Sequence, residues 1–363
     1  MKIVIFGLTI SSSWGNGHAT LWRGLCRALD RQGHVVVFFE HDVPYYALNR
    51  DCFEVPGCGL ALYEDWNAIR SRAGREIAGA DAALVTSYCP DALQATELIL
   101  SLGRTLAAFY DLDTPVTLSR LRRGEAIPYL GARGLADFDL VLSYTGGAAL
   151  DELRRRLGAR RVVPLYGHVD PEVHHPVPGA DRYRCDLSYL GTYSADRQNA
   201  LSALMVEPAR RRPLQRFLIG GAQYPQDFPW HPNIFFVRHL PPIEHPAFFS
   251  SSRLTLNVTR EPMAKMGWCP SGRLFEAAAC GAAIVSDIWE GLDAFYCIGE
   301  EIFAAEHTEH VVSMLDCDES EIRRVGNAAR ERTLAQHTSD HRAWELIAAL
   351  EAAGARQRDS VGA

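Results

Sequence analysis

The sequence predicts an α/β protein with two doubly wound, Rossmann-like domains. Short apolar runs of strand length alternate with helical patterns, which is typical of parallel sheets whose strands are joined by helices. The alternation stops at a proline-rich segment, residues 164–178, and starts again after it. A chain of 363 residues with 47% hydrophobic residues is also long enough to form two cores of ordinary size.

The apolar runs predict strands in both halves, with a helix at residues 19–30 after the first strand and two final helices at 321–336 and 340–352. We expect an N-terminal domain at 1–170, a linker at 171–185, a second domain at 186–336, and a C-terminal helix and tail at 337–363. The predicted strands are 3–6, 35–39, 82–86, 106–110 and 140–143 in the first half, and 187–190, 217–219, 234–237, 254–258, 283–285 and 302–304 in the second.

Composition excludes several classes of partner. The net charge of -7, without a dense basic stripe, argues against nucleic acid and anionic membranes. The nine cysteines are scattered and form no paired Cys-x-x-Cys motif, so we expect reduced thiols in a cytoplasmic protein. The first apolar run turns polar by Ser11, which is too short for a secretory signal or a membrane span. The oligomeric state is not predicted.

The segment at residues 270–287 carries the most chemical information. We expect Pro270 in the first turn of a short helix, Ser271 as its cap, and Gly281 closing it in a left-handed conformation before a strand. Arg273 and Glu276 then share one face. A guanidinium matches phosphate oxygens and a carboxylate matches a vicinal diol, so this face suits the diphosphate and ribose of a nucleotide. An ordinary surface ion pair is the alternative.

A second phosphate-binding pattern follows the strand at 187–190. Gly191 and Thr192 form a turn before a helix start that carries Arg197. Their amides, the helix dipole and the guanidinium suit a diphosphate. Arg260 follows another predicted strand and is a further candidate phosphate ligand, with a surface arginine as the alternative.

The motif Pro-Ser-x-Arg-x-Phe-Glu-Ala-x-Ala-Cys-Gly at 270–281, followed by an apolar strand and Asp287, resembles the donor-binding segment of GT-B glycosyltransferases, most closely the CgeB-like group. The resemblance implies two Rossmann-like domains facing a cleft, with a C-terminal helix that crosses back to the first domain. Many retaining relatives carry two glutamates eight residues apart; here Glu276 matches the second and Trp268 stands at the first, so stereochemistry is not implied. The implied donor contacts also include Ser271, Gly220, Gly221 and His239.

The loop after the first strand contains two closely spaced glycines, Gly15 and Gly17, before a helix. A dinucleotide fingerprint needs a further glycine where this chain has Thr20, which disfavours a nicotinamide cofactor. The loop is similar to the glycine loop plus histidine of many GT-B enzymes. That likeness places Gly15, Asn16 and Gly17 on the acceptor side and makes His18 a candidate general base, with a packing role as the alternative.

Asp111 and Asp113 follow the strand at 106–110 and are rival candidates for the base. A metal-binding Asp-x-Asp motif of GT-A enzymes is disfavoured, because those enzymes have one nucleotide-binding domain and this chain has two halves. Loop aspartates that cap turns are the other alternative. His168, His174 and His175 lie near the linker, but their irregular spacing lacks the helical arrangement of a zinc site, so no metal is predicted.

The resemblance and the motifs together predict a glycosyltransferase of the hexosyltransferase type. It moves a sugar from a nucleoside-diphosphate sugar to a hydroxyl acceptor, without a metal or a cofactor. Arg197, Arg260 and Arg273 stabilise the charge on the departing diphosphate, which makes Arg273 catalytic as well as donor-binding. The acceptor is unknown: a saccharide, a lipid-linked acceptor or a small molecule.

Three other functions remain open. A sugar-nucleotide epimerase of the same fold needs acid and base groups around the sugar and no acceptor site. A non-catalytic sugar-nucleotide-binding protein keeps the donor site and has lost turnover. A nicotinamide oxidoreductase is the third alternative.

Overall fold

The computed structural model describes residues 1–361, with side chains for residues 1–355. The chain divides into two compact units. The first consists of Met1–Tyr166 together with the C-terminal segment that begins at Ser339, and the second of Gly167–Thr338. Among the described residues, no helix has both the length and the apolar character that crossing a membrane requires.

The first unit contains a seven-stranded parallel sheet in the order β3-β2-β1-β4-β5-β6-β7. Its strands are β1 (Lys2–Gly7), β2 (Val35–His41), β3 (Gly59–Tyr63), β4 (Ala82–Thr86), β5 (Leu106–Asp111), β6 (Leu140–Ser143) and β7 (Val162–Pro164). Its helices, apart from the C-terminal one, are α1 (His18–Arg31), α2 (Pro44–Ala47), α3 (Trp66–Ala78), α4 (Ala92–Leu102), α5 (Thr114–Arg122) and α6 (Ala148–Leu157).

The second unit contains a six-stranded parallel sheet in the order β10-β9-β8-β11-β12-β13. Its strands are β8 (Cys185–Leu190), β9 (Phe217–Gly221), β10 (Ile234–Arg238), β11 (Ser252–Asn257), β12 (Ala283–Ser286) and β13 (Phe303–Ala304). Its helices are α7 (Gln198–Leu201), α8 (Glu207–Arg211), α9 (His245–Ser250), α10 (Glu261–Met266), α11 (Gly272–Ala279), α12 (Thr308–Leu315) and α13 (Glu319–Gln336). Short 3-10 segments lie at Asp181–Tyr183, Ala195–Arg197, Pro242–Glu244 and Leu292–Ala294, and a π-helical turn lies at Ser202–Val206.

Both sheets begin with the same order of strands. In each unit the first and fourth strands pair directly, β1 with β4 and β8 with β11, and the chain winds outward from them in both directions. This is the doubly wound arrangement, and ligands bind at the carboxyl ends of the strands beside the reversal. The predicted fold class is therefore confirmed, and the strand order places one candidate site in each unit.

The central strands are apolar throughout because helices cover both faces of a parallel sheet. The side chains of β1 from Ile3 to Phe6 are fully buried, as are those of β4. The C-terminal helix α14 (Ser339–Val361) packs on α1, and Arg31 forms an ion pair with Asp340 at 2.9 Å. The prediction that the chain returns to its first unit is confirmed.

All eleven predicted strands are present, but the sequence patterns missed β3 and β7, which lie at the two opposite edges of the first sheet. β3 consists of Gly59 followed by four apolar residues, of which only Ala61 and Tyr63 are buried. β7 has three residues and ends at Pro164, which cannot donate to a ladder. Both are edge strands, where the burial that marks a strand in the sequence is weakest.

Candidate functional site

Helix α11 begins and ends as its sequence predicts, with one exception. The Ser271 hydroxyl accepts a hydrogen bond from the Arg273 amide at 3.4 Å, so Ser271 is the N-cap. Gly281 has a φ of +76° after the last turn. The prediction that Pro270 lies in the first turn is wrong, because the helix begins at Gly272, two residues later.

Arg273 holds the second unit's central strand ends together. Its guanidinium donates to the carbonyl oxygen of Leu190, at the end of β8, and to that of Val258, just after β11, at 3.4 Å. Its Nε donates to the Ser271 hydroxyl at 3.2 Å, and its Cζ lies 5.4 Å from the centre of the Tyr189 ring. Helix α11 thus places the Arg273 guanidinium between the ends of β8 and β11, where the strand order of the sheet reverses.

Arg197 lies close enough to both Arg273 and Arg260 for their charges to interact with its own. Burial lowers the pKa of Arg197, and the neighbouring Arg273 and Arg260 lower it further. Arg197 donates to the carbonyl oxygen of Thr192 at 3.1 Å, while its Nε is buried without a hydrogen-bond partner among the described residues. A buried, unpartnered guanidinium nitrogen beside two like charges is unfavourable unless an anion binds there.

Arg260 is the outermost of the three. Its Nε donates to the Asp196 carboxylate at 2.9 Å. The segment that carries it is fixed by Asp287, which accepts hydrogen bonds from the amide and the hydroxyl of Thr259, both at 2.9 Å. Burial raises the pKa of Asp287. The sequence patterns did not identify Asp196 or Thr259, although Asp196 is the neighbour of Arg197 in the chain.

The two glycine turns of the second unit touch each other through their backbones. The Gly191 amide donates to the Gly220 carbonyl at 2.8 Å, and a Cβ on Gly221 would lie 2.1 Å from the Gly191 carbonyl oxygen. A Cβ on Gly191 would lie 2.5 Å from the Arg273 guanidinium. The Gly191 amide is already used in this internal hydrogen bond, so its predicted contact with a phosphate competes with that bond. The Thr192 amide is the next one in the same turn.

A backbone hydrogen bond links the ends of β9 and β10, and two residues beside it have left-handed backbone conformations. The amide of His239, just after β10, donates to the Gly221 carbonyl at 2.7 Å, and His239 has a φ of +51°. Gln223, just after β9, has a φ of +63°. Left-handed backbone at residues other than glycine is uncommon and concentrates at functional sites.

Glu276 lies on the next turn of α11 from Arg273, but its carboxylate has neighbours that the sequence did not indicate. Its Oε1 lies 4.0 Å from His174 Nε2, and its Oε2 lies 3.8 Å from His245 Nδ1. The residue is only 8% exposed. His245 begins α9 and His174 lies in the segment before β8, so chain separation concealed this cluster.

In the first unit, the glycine loop is held by a buried carboxylate at the end of β2. Glu40 accepts hydrogen bonds from the hydroxyls of Thr9 and Ser11, at 2.7 and 2.6 Å, and from the amides of Ile10 and Ser11, at 2.8 and 3.0 Å. Dinucleotide-binding folds use an acid at this position to bind a ribose. Because both oxygens of Glu40 are occupied by the loop, this unit does not offer that ribose site.

The rest of the glycine loop shapes the start of α1. Asn16 donates to the Thr9 carbonyl at 3.2 Å and accepts from the His18 amide at 3.1 Å. Gly15 has a φ of +60°, and Gly17 is exposed. The half-buried His18 ring lies 6.4 Å from the ring of Tyr144. Asn16 is thus part of the loop framework, while His18 keeps access to solvent.

Asp111 and Asp113 occupy different environments at the end of β5. Asp111 is fully buried, and its Oδ1 accepts from the Asp113 amide at 3.2 Å and the Thr117 hydroxyl at 3.1 Å. Burial raises its pKa to about 6. Asp113 is half-buried and accepts from the Tyr88 hydroxyl at 2.9 Å. Tyr88, which the sequence patterns missed, has a φ of +66°.

Known proteins resemble this chain in sequence and in fold. Residues 197–348 match the sequence model of a family described as glycosyl transferase-like. No curated protein matches the chain. Among solved structures, HepE from Anabaena in complex with UDP and glucose has a TM-score of 0.70 at 11% identity, over 97% of this chain and 100% of that one.

The fold is GT-B. A sucrose-phosphate synthase from Thermosynechococcus elongatus has the same fold, with a TM-score of 0.65 at 15% identity over 100% of both chains. An alpha-glucosyltransferase in complex with UDP-glucose and DNA containing an abasic site has a TM-score of 0.69 at 11% identity, over 97% of this chain and 99% of that one. The matched family segment lies mostly in the second GT-B unit, where the three arginines are.

Proposed function

We propose that this protein is a glycosyltransferase that transfers a sugar from a nucleoside-diphosphate sugar to a hydroxyl acceptor. The observation that carries the proposal is the cluster of Arg197, Arg260 and Arg273 at the reversal point of the second sheet. Three neighbouring guanidinium groups at a switch point suit a doubly charged diphosphate. The glycosyl transferase-like match over residues 197–348 supports the same assignment.

The chemistry of the donor side is the stabilisation of a leaving group. As the bond from the sugar to the diphosphate breaks, negative charge grows on the phosphate oxygens, and fixed cations in a partly buried site lower the energy of that state. The buried Nε of Arg197, which has no hydrogen-bond partner among the described residues, is one candidate donor to a phosphate oxygen. The Thr192 amide is a second candidate contact. This part of the proposal requires no metal at the diphosphate.

We assign acceptor activation to the first unit. A general base must reach the hydroxyl proton directly or through one water. His18 and Asp113 are half-buried, whereas Asp111 is fully enclosed. We therefore propose His18 or Asp113 as the base, with Asp111 supporting the Asp113 loop through its hydrogen bond to the Asp113 amide.

The donor is proposed to be a uridine-diphosphate hexose. Three of the structural neighbours were determined with UDP together with glucose, or with UDP-glucose. The CgeB-like subgroup and the contacts at Gly220, Gly221 and His239 stay predictions. The contact between Glu276 and the ribose of the donor also stays a prediction. An experiment described below tests it together with a second role of the Glu276 carboxylate.

A thermal-shift screen with UDP, TDP, GDP and ADP sugars tests the donor assignment. A ligand that binds only the folded state at 100 times its Kd stabilises it by about 2.7 kcal/mol, which raises the melting temperature by several degrees. We expect the UDP sugars to give the largest shift. No shift with any sugar nucleotide contradicts the proposal.

Product analysis then separates transfer from the alternatives. Incubation with donor and a panel of hydroxyl acceptors is expected to release free nucleoside diphosphate together with a glycosylated acceptor. Conversion of the donor sugar into an isomer in the absence of acceptor identifies an epimerase. Binding without turnover across the panel identifies a non-catalytic protein.

A further inference from the structure

We propose that His174, His245 and Glu276 form a binding site for a zinc-type divalent metal ion. The three side chains come from separate parts of the second unit: the segment before β8, the first residue of α9, and the middle of α11. One atom from each, an imidazole nitrogen or a carboxylate oxygen, lies within 4.8 Å of the other two. Two histidines and one carboxylate are a recurrent ligand set for zinc.

The distances in the cluster fit ligands around an ion better than a hydrogen-bonded group. The two histidine nitrogens lie 4.0 and 3.8 Å from the Glu276 oxygens, whereas a charge-assisted hydrogen bond is about 2.7–2.9 Å long. Ligand atoms at zinc–nitrogen distances of about 2.0–2.1 Å in a tetrahedral site lie roughly 3.3–3.4 Å from each other. The longest separation among the three ligand atoms, up to 4.8 Å, exceeds this value by more than an ångström, so side-chain rotation has to bring the three atoms around one ion.

The tautomer of His245 supplies an independent argument. Its Nε2 lies 3.3 Å from the carbonyl oxygen of Leu240, so Nε2 carries the proton and donates it there. In the neutral ring this leaves the lone pair of Nδ1 facing the Glu276 carboxylate, and Nδ1 has no hydrogen-bond partner among the described residues. Such a lone pair is repelled by the carboxylate unless a metal ion or a proton lies between them. Metal-binding histidines commonly donate their other N–H to a backbone carbonyl in this way.

The three side chains are largely withdrawn from water. His174 and Glu276 are 3% and 8% exposed, and the His245 side chain is 14% exposed. The Glu276 carboxylate already interacts with the charge of Arg273, and a metal ion would add a second positive charge beside it. Imidazole ligands favour zinc and its neighbours over magnesium or calcium, which bind oxygen. With three protein ligands, the fourth position of a tetrahedral zinc stays open to water or to another ligand.

The sequence pattern around His174 and His175 predicted no metal because local spacing is the only signal available there. The structure takes one histidine from that segment and draws the other two ligands from α9 and α11. The inference does not depend on the proposed glycosyltransferase activity.

Calorimetric titration of the chelator-treated full chain with zinc, without nucleotide, tests this site. We expect one tight site in the wild-type protein. His245→Ala, His174→Ala and Glu276→Gln should each weaken it by more than the roughly 10- to 100-fold that loss of a hydrogen-bond partner of a metal ligand costs. The exposed neighbour variant His175→Ala and the surface variant His307→Ala should bind zinc as the wild type does. Unchanged affinity in the three cluster variants, or no binding by the wild type, overturns the proposal.

Cobalt substitution keeps the test valid if a variant fails to fold, because it uses the wild-type chain. A four-coordinate site of histidines and a carboxylate gives visible cobalt bands without a thiolate charge-transfer band. A thiolate band would place the metal on a cysteine and overturn the proposal. UDP affinity measured on the metal-free protein distinguishes the two proposed roles of Glu276. If Glu276→Gln loses UDP binding, the ribose contact is supported. If Glu276→Gln keeps UDP binding and loses zinc binding, the metal site alone is supported.

Discussion

The two units share a strand order but have opposite chemistry at the corresponding place. Where β8 and β11 end, the second unit gathers three arginines. At the ends of β2 and β5, the first unit instead has the carboxylates Glu40 and Asp111, both buried and both bonded to hydroxyl groups. The backbone arrangement thus supplies a position for a ligand, and the side chains decide its class. An anionic donor suits the arginine end and a hydroxyl acceptor suits the carboxylate end.

The largest effect is expected for the first unit. His18→Gln should lower turnover by roughly 100- to 10,000-fold, the range for loss of a general base, and leave UDP affinity unchanged. Initial-rate kinetics and calorimetry on the same preparation measure both quantities. Turnover within a few-fold of the wild type would assign the base role elsewhere, with Asp113→Asn as the next variant.

Among the substitutions considered for stability, one in the glycine turns of the second unit should lower the free energy of unfolding the most. Gly221→Ala places a Cβ 2.1 Å from the Gly191 carbonyl oxygen, and backbone at that position cannot give way cheaply. We expect a loss of about 3 kcal/mol or more in unfolding free energy, at the upper end for overpacking. Gly74→Ala in α3, where nothing lies within 4 Å of the new atom, is the matched control. Equal urea midpoints for the two variants would show that the turn has room.

The buried carboxylate at the end of β5 predicts a pH dependence. Burial raises the pKa of Asp111 from an ordinary value of 3.8 to about 6, so the folded protein holds the proton more tightly than the unfolded chain does. This contribution is fully present below pH 4 and is lost as the pH rises through 6. It amounts to about 3 kcal/mol.

Asp111→Asn removes this titration while keeping the shape of the side chain. Between pH 4 and 7, unfolding measurements should show the wild type losing stability relative to the variant. A difference that stays constant over this range, or that changes in the opposite direction, contradicts the assignment.

Arg260 should give the smallest effect, because its guanidinium is partly exposed and already paired with Asp196. Arg260→Ala should weaken UDP binding by only a few-fold and change stability by less than about 1 kcal/mol, as for other exposed ion pairs. Arg210→Ala, which removes an exposed helix arginine bonded to Glu207, should leave UDP binding unchanged. Equal affinities of the two variants would place Arg260 outside the donor site.

The sequence could predict those features of the structure that leave a local pattern in the chain. Apolar runs located all the buried central strands, and Ser271 and Gly281 marked the ends of α11, because burial and capping leave local patterns. The edge strands β3 and β7 of the first unit were missed, whereas the edge strands β10 and β13 of the second unit were predicted. Glu276 and His174 were both noted in the sequence, but their proximity to each other and to His245 was not, because contacts between distant segments leave no local signal.

We propose that the arginine cluster of the second unit binds the donor's diphosphate. Calorimetric titration with UDP, and with uridine as the phosphate-free control, tests it on the wild type and on Arg197→Ala. We expect the variant to lose roughly 10- to 100-fold in UDP affinity, the value of one or two hydrogen bonds to a charged group, while the weak binding of uridine stays the same. Equal UDP affinity in the two proteins, or uridine binding as tight as UDP binding, would contradict it.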